Sequence, residues 1–141
     1  MQTFLPYPSF AESAQCLDKR RLNNQIKECQ QILNALLNPE AKGWKNHPAV
    51  LMWKGHEDYL YYYATECYRI WRMHSPNDHL SFKKILEMDI PRNNEKPSWL
   101  GYQKFHDSHK SNLLRKDFEF YSQYNWNIPS DLEYVWPTKN L

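Results

Sequence analysis

An amphipathic stripe between Asp18 and Leu37 constrains the fold of this chain more than any other feature of its sequence. The apolar residues of the stripe follow one another at alternating steps of four and three: Leu22, Ile26, Cys29, Leu33 and Leu36. This spacing aligns them on one face of an α-helix, and that face must be covered by a core. No stretch of any length alternates apolar and polar residues as a half-buried β-strand does. The sequence therefore predicts an all-α fold.

A second long helix is predicted from His47 to Met73, because Pro48 suits a first helical turn, where the N–H that proline lacks has no partner anyway. The apolar and aromatic side chains of this segment form two neighbouring stripes, namely Met52, His56, Tyr59, Tyr63 and Ile70 in one and Trp53, Leu60, Cys67 and Trp71 in the other. Such a wide apolar surface is typical of a helix in the middle of a core. The two long helices are thus expected to form the centre of a compact single-domain fold.

Shorter elements are predicted on either side of these two helices. Ser9 and Glu12 have the spacing of a capping box, which predicts a short helix before Asp18. The sequence LSFKKILEM predicts another short helix inside the proline- and asparagine-rich connection between residues 75 and 97.

A last helix is predicted from Tyr102 to Tyr121, with a bend near Asp117. The tail after it contains the sequence NIPSDLEYVWP, in which prolines interrupt any helical pattern. We expect this tail to pack back on the rest of the chain as an irregular strap.

Length and charge limit the number of domains and the kind of DNA site. A chain of 141 residues has the usual length of one domain, so residues 1–141 are expected to form a single domain. Lysine and arginine number 18 against 16 aspartates and glutamates, so overall charge does not indicate a nucleic-acid partner, and a DNA site would have to be a local patch. Two basic clusters could form one: Lys19, Arg20, Arg21 and Lys27, and Lys104, Lys110, Arg115 and Lys116.

Cysteine usage and the absence of targeting signals predict the compartment. Cys16, Cys29 and Cys67 are an odd number at wide spacings without a C-x-x-C pair, which argues for a reducing environment. The N-terminal sequence lacks the basic and apolar regions of a signal peptide, and no apolar run approaches the roughly 20 residues that cross a bilayer. We expect a cytoplasmic protein, associated with the nucleoid or located in the nucleus according to the host, with no membrane contact.

A polar face on the first long helix is the first candidate for chemistry. Arg21, Gln25 and Glu28 are spaced by four and three residues, so they lie together beside the apolar stripe. Two interpretations are open for this half-buried border. It can hold a carboxylate with a cation nearby as a functional site, or it can be a support network within the helix, worth roughly a few tenths of a kcal/mol for each pair.

Three segments of the chain resemble the signature blocks of a known family and occur in that family's order: LNNQIKEC at residues 22–29, NHPAVLMWKGHE at 46–57 and FHDSHKSNLLRKD at 105–117. The chain resembles the pyrimidine-dimer DNA glycosylase family, the endonuclease V type known from bacteriophage T4, and is nearer to its bacterial branch than to the phage enzyme. The resemblance implies an all-helical enzyme that cleaves the glycosyl bond at cyclobutane pyrimidine dimers and then nicks the abasic strand. It implies double-stranded DNA as the partner, and we expect a monomer that needs no metal and no small-molecule cofactor.

The resemblance also implies roles for individual residues. Glu28 matches the family's catalytic glutamate, Lys27 stands where an arginine precedes that glutamate, and Arg20 and Arg21 would face phosphates. The further residues expected to bind DNA are Gln25, His56, His106, His109, Lys110, Arg115 and Lys116.

The implied reaction explains why these residue types are needed. Breaking a glycosyl bond builds positive charge on the sugar, and a fixed carboxylate stabilises that charge. An amine that attacks C1′ forms an imine, which allows the 3′ phosphate to leave by elimination. An α-amino group suits this step because its pKa of about 7.7–8.0 lies far below the roughly 10.4 of a lysine.

The sequence departs from the family pattern at its N-terminus. The phage-type enzyme uses the terminal amine of a threonine exposed by removal of the initiator methionine, whereas the bulk of Gln2 should block that removal here. The nucleophile is then expected to be the amine of Met1. Alternatively, the chain is a glycosylase without AP-lyase activity, in which Glu28 activates water, or it acts on another damaged or modified base.

Glycosylases take a nucleotide out of the base stack, so aromatic side chains that stack on bases are expected. The candidates are Tyr7, Trp44, Trp99 and Tyr102. Core packing is the more common role for each of them taken alone, and we expect one or two of the four to be functional. Two other functions remain open. His106 and His109, three apart on one helix face, could belong to a metal-dependent nuclease, and the fold could serve a DNA-binding domain without catalysis.

Overall fold

Seven α-helices and one short 3₁₀-helix make up the regular structure of residues 1–137, the part of the chain that this computed structural model describes. The helices are α1 (Phe10–Cys16), α2 (Lys19–Leu37), α3 (Pro48–Leu51), α4 (Glu57–Arg72), α5 (Leu80–Leu86), α6 (Gln103–Lys116) and α7 (Phe118–Tyr121), followed by the 3₁₀-helix Ser122–Tyr124. The predicted all-α fold is confirmed. Residues 138–141, which the predicted single domain includes, lie outside the described residues.

Helices α1 and α2 begin where the sequence predicts. Ser9 caps α1, its Oγ accepting a hydrogen bond from the N–H of Glu12 at 3.2 Å. Asp18 caps α2, its carboxylate accepting from the N–H of Arg21 at 3.4 Å. The predicted stripe of α2 faces the core, where Ile26 and the neighbouring apolar side chains are closed off from solvent. α2 packs this face against α4 and α5.

The second long helix is not continuous, and this prediction is wrong in one respect. Its first turn forms α3, and the chain then breaks before α4 because Gly55 adopts a positive φ of 84°. Met52 and Trp53 lie between the two helices and are both buried. The apolar pattern of the sequence therefore continues through the break. His56, predicted within an apolar stripe of the helix, lies instead at the N-cap position of α4. No helix within residues 1–137 combines the length and the apolar character needed to cross a membrane.

The short helix predicted in the sequence LSFKKILEM is confirmed as α5. The C-terminal third confirms two further predictions. The last helix divides into α6 and α7 at Asp117, where the bend was expected. The strap after the 3₁₀-helix, residues 125–137, contains no helix and no β-strand. Side chains of α6 fix it in place: Ser111 Oγ accepts from the Leu132 N–H at 2.9 Å, and Ser108 Oγ accepts from the Val135 N–H at 3.1 Å.

The N-terminal segment, which precedes α1, is extended but forms no β-strand, and part of it lies in the core. Leu5 is fully buried, its N–H donating to His109 Nδ1 at 2.8 Å and its carbonyl accepting from His106 Nδ1 at 2.7 Å. The Phe4 N–H donates to Gln25 Oε1 at 2.7 Å. These bonds hold the first residues of the chain beside α2 and α6.

Candidate active site

A surface pocket of about 270 Å³ lies where the N-terminal segment meets α2. It is lined by Met1, Gln2, Phe4, Arg20, Arg21, Asn24, Gln25, Glu28 and Lys116. Arg20, Asn24 and Glu28 are four residues apart, so α2 presents all three on one face. Lys116 comes from the last turn of α6. The pocket therefore joins three cations, the chain terminus and one carboxylate.

Glu28 is partly buried at this pocket, and its Oε2 is the one buried side-chain oxygen or nitrogen within residues 1–137 that has no hydrogen-bond partner. Burial raises the pKa of Glu28, while the positive terminal amine and the backbone N–H of Gln2 act in the opposite direction. The carboxylate thus has a free acceptor atom and a cation close to it. Such a group can stabilise positive charge or accept a proton from a bound molecule.

Arg21 is held in place by groups behind it. Its Nη1 lies 3.2 Å from Asp18 Oδ1, and its guanidinium carbon lies 5.9 Å from the centre of the Tyr121 ring. The hydroxyl of Tyr121 donates a hydrogen bond to the same carboxylate oxygen of Asp18. Burial favours neutral Asp18, yet the hydrogen bond from Tyr121 and the charge of Arg21 prevail and lower its pKa. Asp18 therefore remains an anion that fixes the direction of Arg21.

Five of the residues predicted for catalysis or DNA binding meet at the pocket with accessible groups: Met1, Arg20, Arg21, Glu28 and Lys116. Gln25 also borders it, but its side chain is buried, and both its oxygen and its nitrogen are hydrogen-bonded within the protein. Its Oε1 accepts from the Phe4 N–H and the Tyr63 hydroxyl, each at 2.7 Å, and its Nε2 donates to the Gln2 carbonyl at 2.9 Å. Gln25 therefore positions the N-terminal segment, which corrects its predicted DNA contact.

The predicted DNA contacts of His106 and His109 are also corrected, because both side chains are 1% exposed. Besides its bond to Leu5, His106 uses Nε2 to accept from the Gly101 N–H at 2.8 Å. Burial lowers the pKa of His109 to about 3 and also lowers the pKa of His106. Both rings are therefore neutral anchors of the N-terminal segment.

Four further residues predicted to bind DNA lie outside the pocket lining. His56 Nδ1 donates to the Glu95 carbonyl at 2.8 Å. Lys27 is exposed, and its charge acts on His79 at the start of α5. Lys110 lies 5.1 Å above the ring of Tyr7.

Arg115, the last of these four, fixes the C-terminal strap. Its Nη1 donates to the Ser130 carbonyl at 2.7 Å, and its Nη2 donates to Asn112 Oδ1. This cation is thus engaged within the protein, although its side chain is exposed.

The four aromatic residues predicted to stack on bases differ in their exposure to solvent. Trp99 is 3% exposed and donates from Nε1 to the Met52 carbonyl, which assigns it to the core. Tyr7 is covered by Lys110 and accepts at its hydroxyl from Trp126 Nε1 at 2.8 Å. Tyr102 and Trp44 are open to solvent, and Trp44 is the more exposed at 60%.

Sequence reasoning missed Asn24, Phe4 and the Asp18–Tyr121 support of Arg21. The four-residue spacing of Arg20, Asn24 and Glu28 could have identified Asn24. Nothing in the sequence signals the other contacts, because Tyr121 lies 103 residues from Asp18 along the chain.

The three cysteines and the groove beside α4 and α5 offer no comparable free group. Among residues 1–137, no three histidine, cysteine, aspartate or glutamate side chains lie close enough together to hold a metal ion. The three cysteines are free and buried, and burial raises the pKa of Cys16 to about 12. A larger groove of about 370 Å³ runs beside α4 and α5, but the buried carboxylate on its wall, Asp58, already accepts from the N–H groups of Tyr59 and Asn94.

Comparison with known protein families decides the relationship. The sequence model of the pyrimidine dimer DNA glycosylase family matches residues 1–83. The chain belongs to this family. Searches of curated proteins and of solved structures found no similar protein.

Membership of the pyrimidine dimer DNA glycosylase family assigns this chain to DNA repair by base removal at the level of the family. The matched region contains the N-terminal segment and helices α1 to α4. Every residue of the pocket lining lies inside the match except Lys116, which α6 supplies.

Proposed function

We propose that this chain is a base-excision DNA glycosylase whose catalytic carboxylate is Glu28. The single observation that supports the proposal best is the buried Glu28 Oε2 without a hydrogen-bond partner, in a pocket that also contains Arg20, Arg21 and Lys116. An unpaired buried oxygen costs a protein stability. A residue that keeps such an atom has one available for a partner that arrives with the substrate.

The substrate's own charge explains the arrangement. Double-stranded DNA brings phosphates, which Arg20, Arg21 and Lys116 would bind on either side of the target nucleotide. As the glycosyl bond breaks, positive charge grows on the deoxyribose, and the Glu28 carboxylate stabilises it. Water is displaced from the pocket by the nucleotide, which strengthens the attraction between carboxylate and sugar.

The terminal amine of Met1 is the proposed nucleophile that displaces the base and then opens the way to strand cleavage. Its nitrogen forms a bond to C1′ while the base leaves with the bonding electrons and takes up a proton. The C1′–O4′ bond then breaks with its electron pair going to O4′, which takes up a proton, and the nitrogen becomes doubly bonded to C1′ as an imine. The imine acidifies C2′, so a base removes a proton there and the 3′ phosphate leaves with its electron pair. Glu28 is the proposed carrier of these protons, because it lines the same pocket as Met1 and one of its carboxylate oxygens has no hydrogen-bond partner.

The proposed substrate is a cyclobutane pyrimidine dimer in duplex DNA, with another damaged or modified base as the alternative. We propose that the protein acts as a monomer without a cofactor, since one chain supplies the carboxylate, the amine and the three cations.

A substrate panel tests the proposed activity. The protein is incubated with ultraviolet-irradiated duplex, undamaged duplex and duplexes that carry single modified bases, and base release and strand nicking are scored separately. We expect base release from the irradiated duplex and none from the undamaged one. Binding to all duplexes without release from any of them would contradict the proposal and favour a DNA-binding domain without catalysis.

Borohydride trapping on duplex with an abasic site tests the role of the amine. We expect a covalent adduct that maps to the peptide containing Met1. A variant with two residues added before Met1 serves as the matched control and should lose the adduct. Base release and nicking without any trapped adduct would contradict the imine step, and base release without nicking would favour water activated by Glu28.

A further inference from the structure

We infer that Trp44 enters the base stack of the bound duplex and fills the space that the extruded nucleotide leaves. This inference rests on the proposed base excision and adds the means by which a paired substrate is opened. Trp44 lies in the loop between α2 and α3 and is 60% exposed, which is unusual for the largest aromatic side chain.

The backbone of this loop holds the indole in a costly conformation. Gly43 has φ 75° and Trp44 has φ 47°, so two successive residues are left-handed. Glycine adopts this conformation freely, whereas a bulky side chain does so rarely and at a cost in stability. Strain of this kind concentrates at residues that function requires.

A chain of ring contacts connects Trp44 with the pocket. The ring of Trp44 lies 5.7 Å from that of His47, which lies 6.1 Å from Trp136. Trp136 lies 5.6 Å from Tyr134, and Tyr134 lies 6.5 Å from Phe4, which lines the pocket. The indole is thus the outer end of an aromatic path that begins at Phe4 in the lining of the pocket.

The charge of the chain terminus supports the same placement. Burial lowers the pKa of His47, and the positive amine of Met1 lowers it further, so this amine lies within electrostatic reach of the loop. Met1 lines the Glu28 pocket, which puts the loop and the pocket on neighbouring parts of the surface.

The composition of the loop suits nucleic acid. Lys42 and Lys45 are exposed on either side of Trp44. Interleaved cations and aromatic rings bind phosphates and stack on bases at the same time. An open hollow of about 480 Å³ lies along residues 43–47, so the indole has free space on one side.

Base extrusion gives this residue a specific task. A nucleotide that leaves the duplex breaks its stacking contacts and leaves a gap between its neighbours, which costs free energy. An inserted indole restores stacking on those neighbours. The contribution should therefore be large for a paired target and small for a target that is already unpaired.

Substitution of Trp44 tests the inference. W44A, W44F and the control M73A, which removes another exposed apolar side chain, are compared in single-turnover base release from a duplex with one thymine dimer. The same dimer is also placed opposite abasic residues, so that it has no bases to pair with. Trp44 is mostly exposed, so thermal melting should be close to wild type in all three variants.

We expect W44A to slow release from the paired duplex about tenfold or more and W44F to retain most of the rate, because stacking on a base is lost only in the alanine variant. M73A should match the wild type. On the unpaired dimer, W44A should recover to nearly the wild-type rate. An unchanged rate for W44A on the paired duplex, or the same loss on both substrates, would overturn the inference.

A binding assay separates this inference from the proposed function. The variants E28Q and E28Q/W44A are mixed with a duplex that contains a tetrahydrofuran abasic analogue beside 2-aminopurine, whose fluorescence reports stacking. We expect fluorescence to change with E28Q and not with E28Q/W44A. Equal changes in both proteins would contradict the role of Trp44 while leaving base excision by Glu28 untouched, since no bond is broken in this assay.

Discussion

The buried carboxylate of Glu28 lowers the stability of the fold, and it has a proposed role in catalysis. Its Oε2 is buried without a partner, and burial raises its pKa. A raised pKa means that the folded state binds this proton more tightly than the unfolded state. The free energy of unfolding therefore falls as the pH rises from the ordinary glutamate pKa of about 4.3 to the raised folded value.

We predict that E28Q is more stable than the wild type at pH 7, because the variant removes a buried unpaired charge. A gain of about 1 kcal/mol corresponds to a rise in Tm of about 2–4 °C. Calorimetry at pH 7 and pH 4 measures it, and the difference should shrink at the lower pH. The exposed Glu87 provides a matched control, and E87Q should melt with the wild type. A lower Tm for E28Q at pH 7 would show that the carboxylate is a structural group.

Arg20 and Lys116 are exposed cations of the pocket without a partner in the fold among the hydrogen bonds and ion pairs of residues 1–137. We predict that R20A and K116A weaken binding to all duplexes alike and each reduce the slope of log K against log salt by about 0.9. Titrations at several salt concentrations measure the slope. K84A removes an exposed lysine of α5 and should leave the slope unchanged. Equal effects of K84A and K116A would contradict a local phosphate site.

At the scale of elements, the N-terminal segment depends on neutral histidines. Burial lowers the pKa of His109 to about 3, and its Nδ1 must stay unprotonated to accept from the Leu5 N–H. The unfolded chain takes up this proton below about pH 6.5 while the folded chain does not. The unfolded state then binds more protons, so the free energy of unfolding falls as the pH decreases from about 6.5 towards 3.

We predict a loss of about 1.4 kcal/mol for each pH unit from this one group, and H109Q should show a correspondingly shallower dependence between pH 6.5 and pH 5. Urea unfolding at several pH values measures it. H74Q replaces an exposed histidine and should retain the wild-type dependence. If H109Q and the wild type lose stability in parallel, another group must cause the acid sensitivity.

The helices that carry the site could be predicted from local patterns. The stripe of α2 and the caps Ser9 and Asp18 depend on residues within a few positions of each other. The break at Gly55 could not be predicted in this way, because Met52 and Trp53 remain buried across it and keep the apolar period intact.

Some residues of the candidate site could likewise be predicted from local patterns, and others could not. Glu28, Arg20 and Arg21 follow from one helix face together with the family resemblance. The anchoring role of His109 depends on Leu5, which is 104 residues away, and a histidine in a basic segment has the same local pattern whether it binds phosphate or a buried backbone N–H. Only the fold separates these two roles.

At the scale of the whole molecule, the site is assembled from the N-terminal segment, α2 and the last turn of α6. α2 supplies the carboxylate and two arginines, the N-terminal segment supplies the amine, and α6 supplies Lys116. The net charge of +2 is small, so this local cluster and not the overall charge would direct DNA to the pocket. The family match covers the first two of these three contributors.

Single-turnover base release from a duplex with one thymine dimer, measured for the wild type and E28Q, tests the central claim most directly. Affinity for the same duplex is measured in parallel. We predict that E28Q lowers the rate on the order of a hundredfold or more while binding stays nearly unchanged, because the lost group acts on charge that exists only in the transition state. Base release by E28Q at the wild-type rate would contradict the assignment of Glu28 and the account of the site that depends on it.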